Sequence, residues 1–273
     1  MRQIWLVVLV AAVGLPDRER DRAALLEADR AHRAFADDVM YLHPDARLVQ
    51  GSRAIRRLLD GASEPEPATW TPEFADVSDD GTLGYTYGWT QLGDQRGKYL
   101  ACWRKRGNGP WRISAYARTK LAPGLTAPAT DAAVPAAAVR GPRDSRGIKS
   151  ADSAFAAMSV ARGAQAAFLG FAAAEAVLLG PPGAPMTHGR DAIGDAFAGF
   201  PADAVLEWVP VWANVAGSGD LGCTVGEASI LARDSYSKYL TVWKRQADGA
   251  WRFVADGGNA RPTPGPADAR APH

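Results

Sequence analysis

The sequence has almost no net charge and contains little cysteine and histidine. Its 31 Lys and Arg residues balance 30 Asp and Glu residues, so the formal net charge is +1 over 273 residues. Without a basic excess or basic stripes rich in aromatics, the chain lacks the electrostatic pattern of nucleic-acid-binding proteins, and we expect no such partner. Beyond the N-terminus, no apolar segment is long enough to predict a membrane span, which needs about 20 residues.

What the sequence does contain is an internal repeat. The stretch "WTPEFADVSDDGTLGYTYG" (70–88) recurs as "WVPVWANVAGSGDLGCTVG" (208–226), at an offset of 138 residues. Downstream, "KYLACWRKRGNGPWRI" (98–113) recurs as "KYLTVWKRQADGAWRF" (238–253), at an offset of 140. A self-similar segment of this length predicts a duplicated domain. We call the two halves the first copy and the second copy.

The two cysteines are not equivalent in this repeat. Cys102 aligns with Val242, whereas Cys223 aligns with Tyr85. A disulfide would have to join the two copies in mid-strand, so we expect buried free thiols instead. Neither cysteine has a second Cys or a His at metal-ligand spacing, and we therefore expect no metal and no cofactor.

Each copy predicts helices followed by a meander of four antiparallel strands, which is an α+β pattern. We assign the first domain to 20–120 and the second to 151–258. An Ala- and Pro-rich linker (121–150) joins them, and a disordered tail (259–273) follows. The first copy has roughly a helical hairpin less chain before "FADD", so we expect its N-terminus to be degenerate.

The first 16 residues, "MRQIWLVVLVAAVGLP", have the pattern of a signal peptide. One positive charge precedes an apolar run and then small residues. The run is shorter than the ~20 residues that a spanning helix needs. We expect export to the periplasm or the extracellular space. An uncleaved N-terminal anchor and a buried N-terminal strand or helix are the alternatives.

The strand motifs resemble a known superfamily. The order "GRDAI", W-x-P strand, "SGDLGCTVG", "KYLTVWKRQ" and "DGAWRFVADGG" resembles the SnoaL-like, ketosteroid-isomerase-like branch of the nuclear transport factor 2-like superfamily. It is especially similar to small exported bacterial domains of unknown function. The resemblance implies two cone-shaped barrels, each with N-terminal helices packed on a curved antiparallel sheet. It does not fix an activity, because this superfamily includes isomerases, cyclases, dehydratases and non-enzymes.

An enzyme of that superfamily moves protons, and it would need a base inside the cone together with a hydrogen-bond donor. Glu227 is the best candidate for the base, with Tyr239 or His188 assisting. Tyr239 recurs as Tyr99, so packing explains it equally well. Asp256 precedes two glycines, and we interpret it as a turn residue.

Strand aromatics are the candidate lining of a ligand-binding cavity, although a packed core is the alternative. They are Trp208, Trp212, Tyr85, Tyr87, Trp89 and Trp243. The residues that the copies share have geometric roles, whereas the polar candidates are scattered. We therefore predict a non-catalytic module that binds a small apolar ligand or pairs its two domains as a pseudo-dimer. The alternative is an isomerase, cyclase or dehydratase that acts by general acid–base proton transfer in the second cone.

Overall fold

The computed structural model describes residues 17–31, 34–62, 65–126, 138–201 and 203–264. The predicted signal peptide (1–16), the middle of the predicted linker and the end of the tail lie outside these residues. Within the described part of the chain, no helix is long and apolar enough to cross a membrane. In the same ranges, no three His, Cys, Asp or Glu side chains are grouped as metal ligands.

The first copy forms a mixed six-stranded sheet with two helices. Its elements are α1 (Asp17–Arg30), β1 (Phe35–Leu42), β2 (Val49–Gln50), α2 (Ser52–Gly61), β3 (Thr69–Val77), β4 (Leu83–Leu92), β5 (Gln95–Arg104) and β6 (Arg112–Arg118). The strand order is β2-β1-β6-β5-β4-β3. Strand β1 runs parallel to β6, and β3 to β6 form the predicted antiparallel meander.

The second copy repeats this topology. Its elements are α3 (Ser145–Arg162), α4 (Ala164–Phe171), β7 (Ala172–Leu178), β8 (Thr187–His188), α5 (Arg190–Ala196), β9 (Glu207–Val215), β10 (Leu221–Ile230), a 3-10 turn (Leu231–Arg233), β11 (Ser235–Arg245) and β12 (Trp251–Ala260). The strand order is β8-β7-β12-β11-β10-β9. The α+β class with two cones is therefore confirmed. Two helices precede β7, whereas one described helix precedes β1.

Two elements extend beyond the predicted domain limits. Helix α3 begins at Ser145, inside the segment interpreted as a linker, because Asp144 caps it by accepting a hydrogen bond from the backbone N–H of Arg146. Strand β12 continues to Ala260, past the predicted start of the tail.

Strand register supports the two offsets of the repeat. Tyr85 pairs with Cys102 across β4 and β5, and Cys223 pairs with Val242 across β10 and β11. The register also shifts at Pro210 on the edge strand β9, as expected for a residue that cannot donate to a β-ladder.

The expectation of free thiols is wrong, because Cys102 and Cys223 form a disulfide. Their Cα atoms are 6.6 Å apart, and both side chains are fully buried. One cluster of buried apolar residues includes Leu100 of the first sheet together with Val225 and Leu240 of the second. The two sheets pack against each other, and this packing brings together two mid-strand positions that are 121 residues apart in the chain.

The hairpin turns of the repeat also contact each other across the two copies. The backbone N–H of Asp79 donates to Asp220 Oδ2 at 2.9 Å, and the N–H of Ser218 donates to Asp80 Oδ2 at 2.8 Å. Each turn therefore supplies one carboxylate that holds the backbone of the other. These bonds satisfy turn N–H groups that a strand ladder leaves unpaired.

A buried ion pair adds a further link between the copies. Lys244 Nζ lies 2.7 Å from Asp76 Oδ2, and both side chains are almost fully buried. Arg18 Nη2 approaches the other oxygen of Asp76 at 2.8 Å. Removing one partner of such a pair leaves an uncompensated buried charge and typically costs about 3–5 kcal/mol.

Candidate functional site

A cavity of about 500 Å³ lies in the second cone. Helices α3, α4 and α5 and strands β9, β11 and β12 contribute to its walls. Its aromatic lining consists of Phe155, Phe168, Phe197, Trp208, Tyr236 and Tyr239. The size and apolar character are those of a small-molecule site.

The first copy forms part of the cavity mouth. Pro44, Asp45, Thr119 and Lys120 line it together with the second copy. The backbone N–H of Asp45 donates to the carbonyl oxygen of Ala260 at 3.1 Å, which joins the β1–β2 connection to the end of β12. The cavity is therefore bordered by both copies.

Asp152, on α3, is a fully buried acidic group behind the cavity wall. Its Oδ1 accepts a hydrogen bond from Trp208 Nε1 at 2.8 Å, and its Oδ2 accepts one from the Tyr239 hydroxyl at 3.1 Å. Burial raises the pKa of Asp152 to about 6, although hydrogen bonds from Thr224, Trp208 and Tyr239 act to lower it.

The first copy contains the same kind of bond. There the Tyr99 hydroxyl donates to Asp29 Oδ2 at 2.6 Å. Tyr99 and Tyr239 are equivalent in the repeat, and each bonds to an aspartate on a helix that precedes its sheet. Asp29 lies in the last turn of α1, and Asp152 lies on α3. The Asp152–Tyr239 pair is therefore a feature of the fold that both copies share.

Asp256 differs in this respect. It lies on β12, lines the cavity and is partly accessible there. Its Oδ2 accepts a hydrogen bond from Thr241 Oγ1. Burial raises the pKa of Asp256 to about 7, with a smaller rise from the charge of Asp152 and a decrease from the Thr241 bond.

The interpretation of Asp256 as a turn residue is wrong, because β12 continues through both following glycines. Opposite β11, the register shifts so that Trp243 pairs with Phe253 and Val242 pairs with Ala255. The extra residue, Val254, changes the alternation of the strand. Without the bulge, Asp256 would lie on the face of β12 opposite to that of Phe253. With the bulge, Asp256 lies on the same face as Phe253.

The first copy carries a tyrosine where the second carries Asp256. Tyr116 pairs with Ala101 as Asp256 pairs with Thr241. The Tyr116 ring stacks on Tyr41 at 5.6 Å and on Tyr99 at 6.0 Å between ring centroids. Its hydroxyl also accepts a hydrogen bond from Trp70 Nε1 at 2.9 Å. These rings fill the inside of the first cone.

A second difference between the copies also fills the first cone with a side chain. Arg118 pairs with Tyr99 at the position where Gly258 pairs with Tyr239. The Arg118 side chain is fully buried, and its Nη2 lies 2.9 Å from His43 Nε2 and 3.1 Å from Glu66 Oε1. The second copy has Gly258 at this position, which lines the cavity, so no side chain from here fills it.

The three residues predicted as catalytic do not converge. Tyr239 lines the cavity, whereas Glu227 and His188 are not among its lining residues. Glu227 Oε2 lies 3.2 Å from Arg261 Nη2. His188 is exposed, and its Nε2 lies 3.8 Å from Glu73 Oε1 of the first copy.

Of the six aromatics predicted to bind a ligand, Trp208 lines this cavity. Trp243 is fully buried and donates to Thr224 Oγ1 at 2.8 Å, and Trp212 packs at the edge of the apolar core. The other three are buried in the first sheet and belong to the core that spans both copies: Tyr85, Tyr87 and Trp89. The sequence did not single out Phe155 and Phe168 on their helices or Phe197 directly after α5, since they lie in apolar runs typical of core.

Two lysines line the cavity near its mouth, and both have partners. Lys120 pairs with Asp45. Lys238 Nζ donates to Asn259 Oδ1 and to the carbonyl oxygen of Ala260, the latter at 2.7 Å. Burial lowers the pKa of Lys238 to about 7. Because Lys238 precedes Tyr239 on β11, its side chain projects from the face of the strand opposite to the face that carries Tyr239.

A comparison with protein-family models gives no match, and neither does a comparison with curated proteins. Among solved structures, the chain is similar to a ketosteroid isomerase-like protein from Erwinia carotovora atroseptica, with 18% identity over 42% of this chain and 95% of that chain and a TM-score of 0.35. It is also similar to a nuclear transport factor 2-like protein of unknown function from Pseudomonas putida, with 13% identity, coverage of 42% and 84% and a TM-score of 0.36.

A third similar structure is a nuclear transport factor 2-like protein of unknown function from Silicibacter pomeroyi, with 18% identity, coverage of 42% and 94% and a TM-score of 0.33. Each of the three covers less than half of this chain.

The raised pKa values of Asp152 and Asp256 predict how stability depends on pH. Between about pH 4, where carboxyls of an unfolded chain titrate, and about pH 7, these two carboxyls bind more protons in the native protein than in the unfolded chain. Their contribution to the free energy of unfolding should therefore fall as pH rises through this window. Asp256→Asn should make the fall shallower, as measured by urea unfolding across the window.

The control for this prediction is Asp203→Asn, because Asp203 is exposed at the surface. It should keep the wild-type pH dependence. An Asp256→Asn slope equal to that of the wild type would contradict the assignment of the raised pKa to Asp256.

Proposed function

We propose that the second cone binds a small, largely apolar molecule. The observation that carries this proposal is the contrast between the cones. The second has a cavity of about 500 Å³ beside Asp256 and Gly258, whereas Tyr116 and Arg118 occupy the corresponding positions of the first. A small-molecule site of this superfamily would lie inside the cone, and the second cone has the space for one.

In this proposal the first copy acts as a fixed partner in an intramolecular pseudo-dimer. The disulfide, the reciprocal turn contacts and the Lys244–Asp76 pair support a rigid association. Residues of the first copy at the mouth, such as Pro44 and Asp45, would then complete the entrance. A fused pair can keep one half for binding and the other for support, which a symmetric homodimer cannot do.

Filling the cavity should abolish binding. Ala228 lines the cavity and pairs with Trp208 on the adjacent strand. Ala228→Phe should weaken binding of the neutral hydrophobic dye N-phenyl-1-naphthylamine by about ten-fold or more, equivalent to roughly 1.4 kcal/mol. Dye fluorescence measures this directly.

The matched control is Ser229→Phe, which adds the same ring on the opposite face of β10. It should leave dye affinity unchanged, and circular dichroism should show both variants folded. Equal dye binding by wild type and Ala228→Phe would rule out this cavity as the binding site.

A second candidate function is proton-transfer chemistry in the same cone. The observation that favours it is Asp256, a carboxyl that lines an apolar cavity and whose pKa is raised to about 7. A base is most effective when its pKa is close to the working pH. Asp256 would then act in place of Glu227, which pairs with Arg261.

The base-catalysed ring opening of nitrobenzisoxazole tests this candidate. In that reaction a carboxylate removes the ring C–H proton as the N–O bond breaks, and no other reactant is needed. The rate should rise as pH passes about 7, because only the ionised Asp256 is a base. Asp256→Asn should lower the rate by about ten-fold or more. Glu227→Gln should not change it, and equal rates for wild type and Asp256→Asn would exclude Asp256 as the base.

Export is also part of the proposal. Structural disulfides persist in oxidising compartments, so the Cys102–Cys223 bond supports a periplasmic or extracellular location. In a bacterial host, the full chain should carry no alkylatable thiol. A chain lacking residues 1–16 should stay in the cytosol with both thiols free, as shown by mass spectrometry after iodoacetamide treatment. Retention of the full chain in the cytosol would contradict export.

A further inference from the structure

We infer that the molecule bound in the second cone is an organic cation whose charged nitrogen pairs with the Asp256 carboxylate. This inference rests on the proposed binding function and adds the charge class of the ligand. It is drawn from the charges, hydrogen bonds and aromatic walls of the cavity.

Asp256 lines the cavity, Asp152 lies behind the lining residues Trp208 and Tyr239, and neither has a cationic partner among the described residues. Within the described ranges, neither Asp152 nor Asp256 takes part in a salt bridge. The two lysines of the lining are already engaged, Lys120 with Asp45 and Lys238 with Asn259 and a backbone carbonyl. An anionic ligand would therefore meet the Asp256 carboxyl, of its own sign, with Asp152 close behind, whereas a cation would supply the missing countercharge.

Hydrogen bonding distinguishes the two aspartates. Both oxygens of Asp152 accept bonds, from Trp208 and from Tyr239. Asp256 accepts one bond, at Oδ2 from Thr241, among the described residues. Its Oδ1 is therefore the acceptor available to a ligand. The raised pKa of Asp256 has the same origin, since burial without a nearby cation disfavours the carboxylate.

The walls add a second attraction for cations. Rings of Phe155 and Trp208 meet edge to face with centroids 4.5 Å apart, and Phe168 stacks on Phe197 at 4.0 Å. Tyr239 completes this group of rings in the cavity lining. Aromatic faces attract ammonium groups, by about 2 kcal/mol or more when the pair is shielded from water.

The first cone shows that this part of the fold accommodates a buried cation. Arg118 is the residue of the first copy that corresponds to Gly258, and its fully buried guanidinium pairs with Glu66. The second cone has a glycine at this position, and the buried Lys238 of its lining is held by Asn259 and the carbonyl oxygen of Ala260. A ligand with a positively charged nitrogen would supply the cation that Asp256 lacks among the described residues.

Two ligands of the same shape test the inference. Trimethylanilinium carries a positive charge, and tert-butylbenzene is its neutral carbon analogue. Calorimetric titration of the full protein at about pH 8, above the pKa of Asp256, should show the cation binding about ten-fold or more tightly than the neutral analogue. Asp256→Asn should remove this preference and leave the affinity for tert-butylbenzene within about two-fold.

The control is Asp203→Asn, which removes an exposed carboxylate outside the cavity lining and should keep the preference for the cation. If the neutral analogue binds as tightly as the cation, or Asp256→Asn keeps the preference, the inference is wrong while the proposed binding function stands. If neither compound binds, both fall. The comparison of the two ligands on wild-type protein needs no variant to fold.

Discussion

The packing of the two sheets against each other is the constraint on which the rest of the molecule depends. It buries Cys102 and Cys223 in a common core and lets them form a disulfide. A long closed loop of this kind typically contributes about 2–5 kcal/mol of stability. One face of each sheet is used in this packing. The other face, inside the cone, is left for the helices, and a cavity can form between the sheet and the helices.

Fusion of the copies permits asymmetry, and the asymmetry is concentrated at a few positions. The cysteines are inequivalent, and Tyr116 and Arg118 of the first copy correspond to Asp256 and Gly258 of the second. Side chains that fill a core contribute stability, whereas a cavity forfeits it. The first cone is therefore built as a packed domain, and the second accepts a loss of packing. The bonds between the copies let the packed half support the hollow one.

Much of the fold could be predicted from the sequence, because strand alternation and turn residues are local signals. The meander, the repeat offsets and the irregularity at Pro210 all follow from them. The site could not be predicted in the same way. The bulge at Val254 places Asp256 on the face of β12 opposite to the one that simple alternation predicts. Asp152 lies on α3, whose first residues fall in the segment predicted to be a linker. The disulfide depends on the contact between sheets, which no local pattern encodes.

Asp256 has no structural justification comparable to that of Asp152. The Asp–Tyr bond made by Asp152 occurs in both copies, so the fold explains it. At the position of Asp256, by contrast, the first copy shows that the fold accepts a tyrosine packed among other rings. A carboxyl that lines an apolar cavity, without a cation beside it in the described structure, is less stable than such packing. The proposed cationic ligand would supply the countercharge that this carboxyl lacks among the described residues.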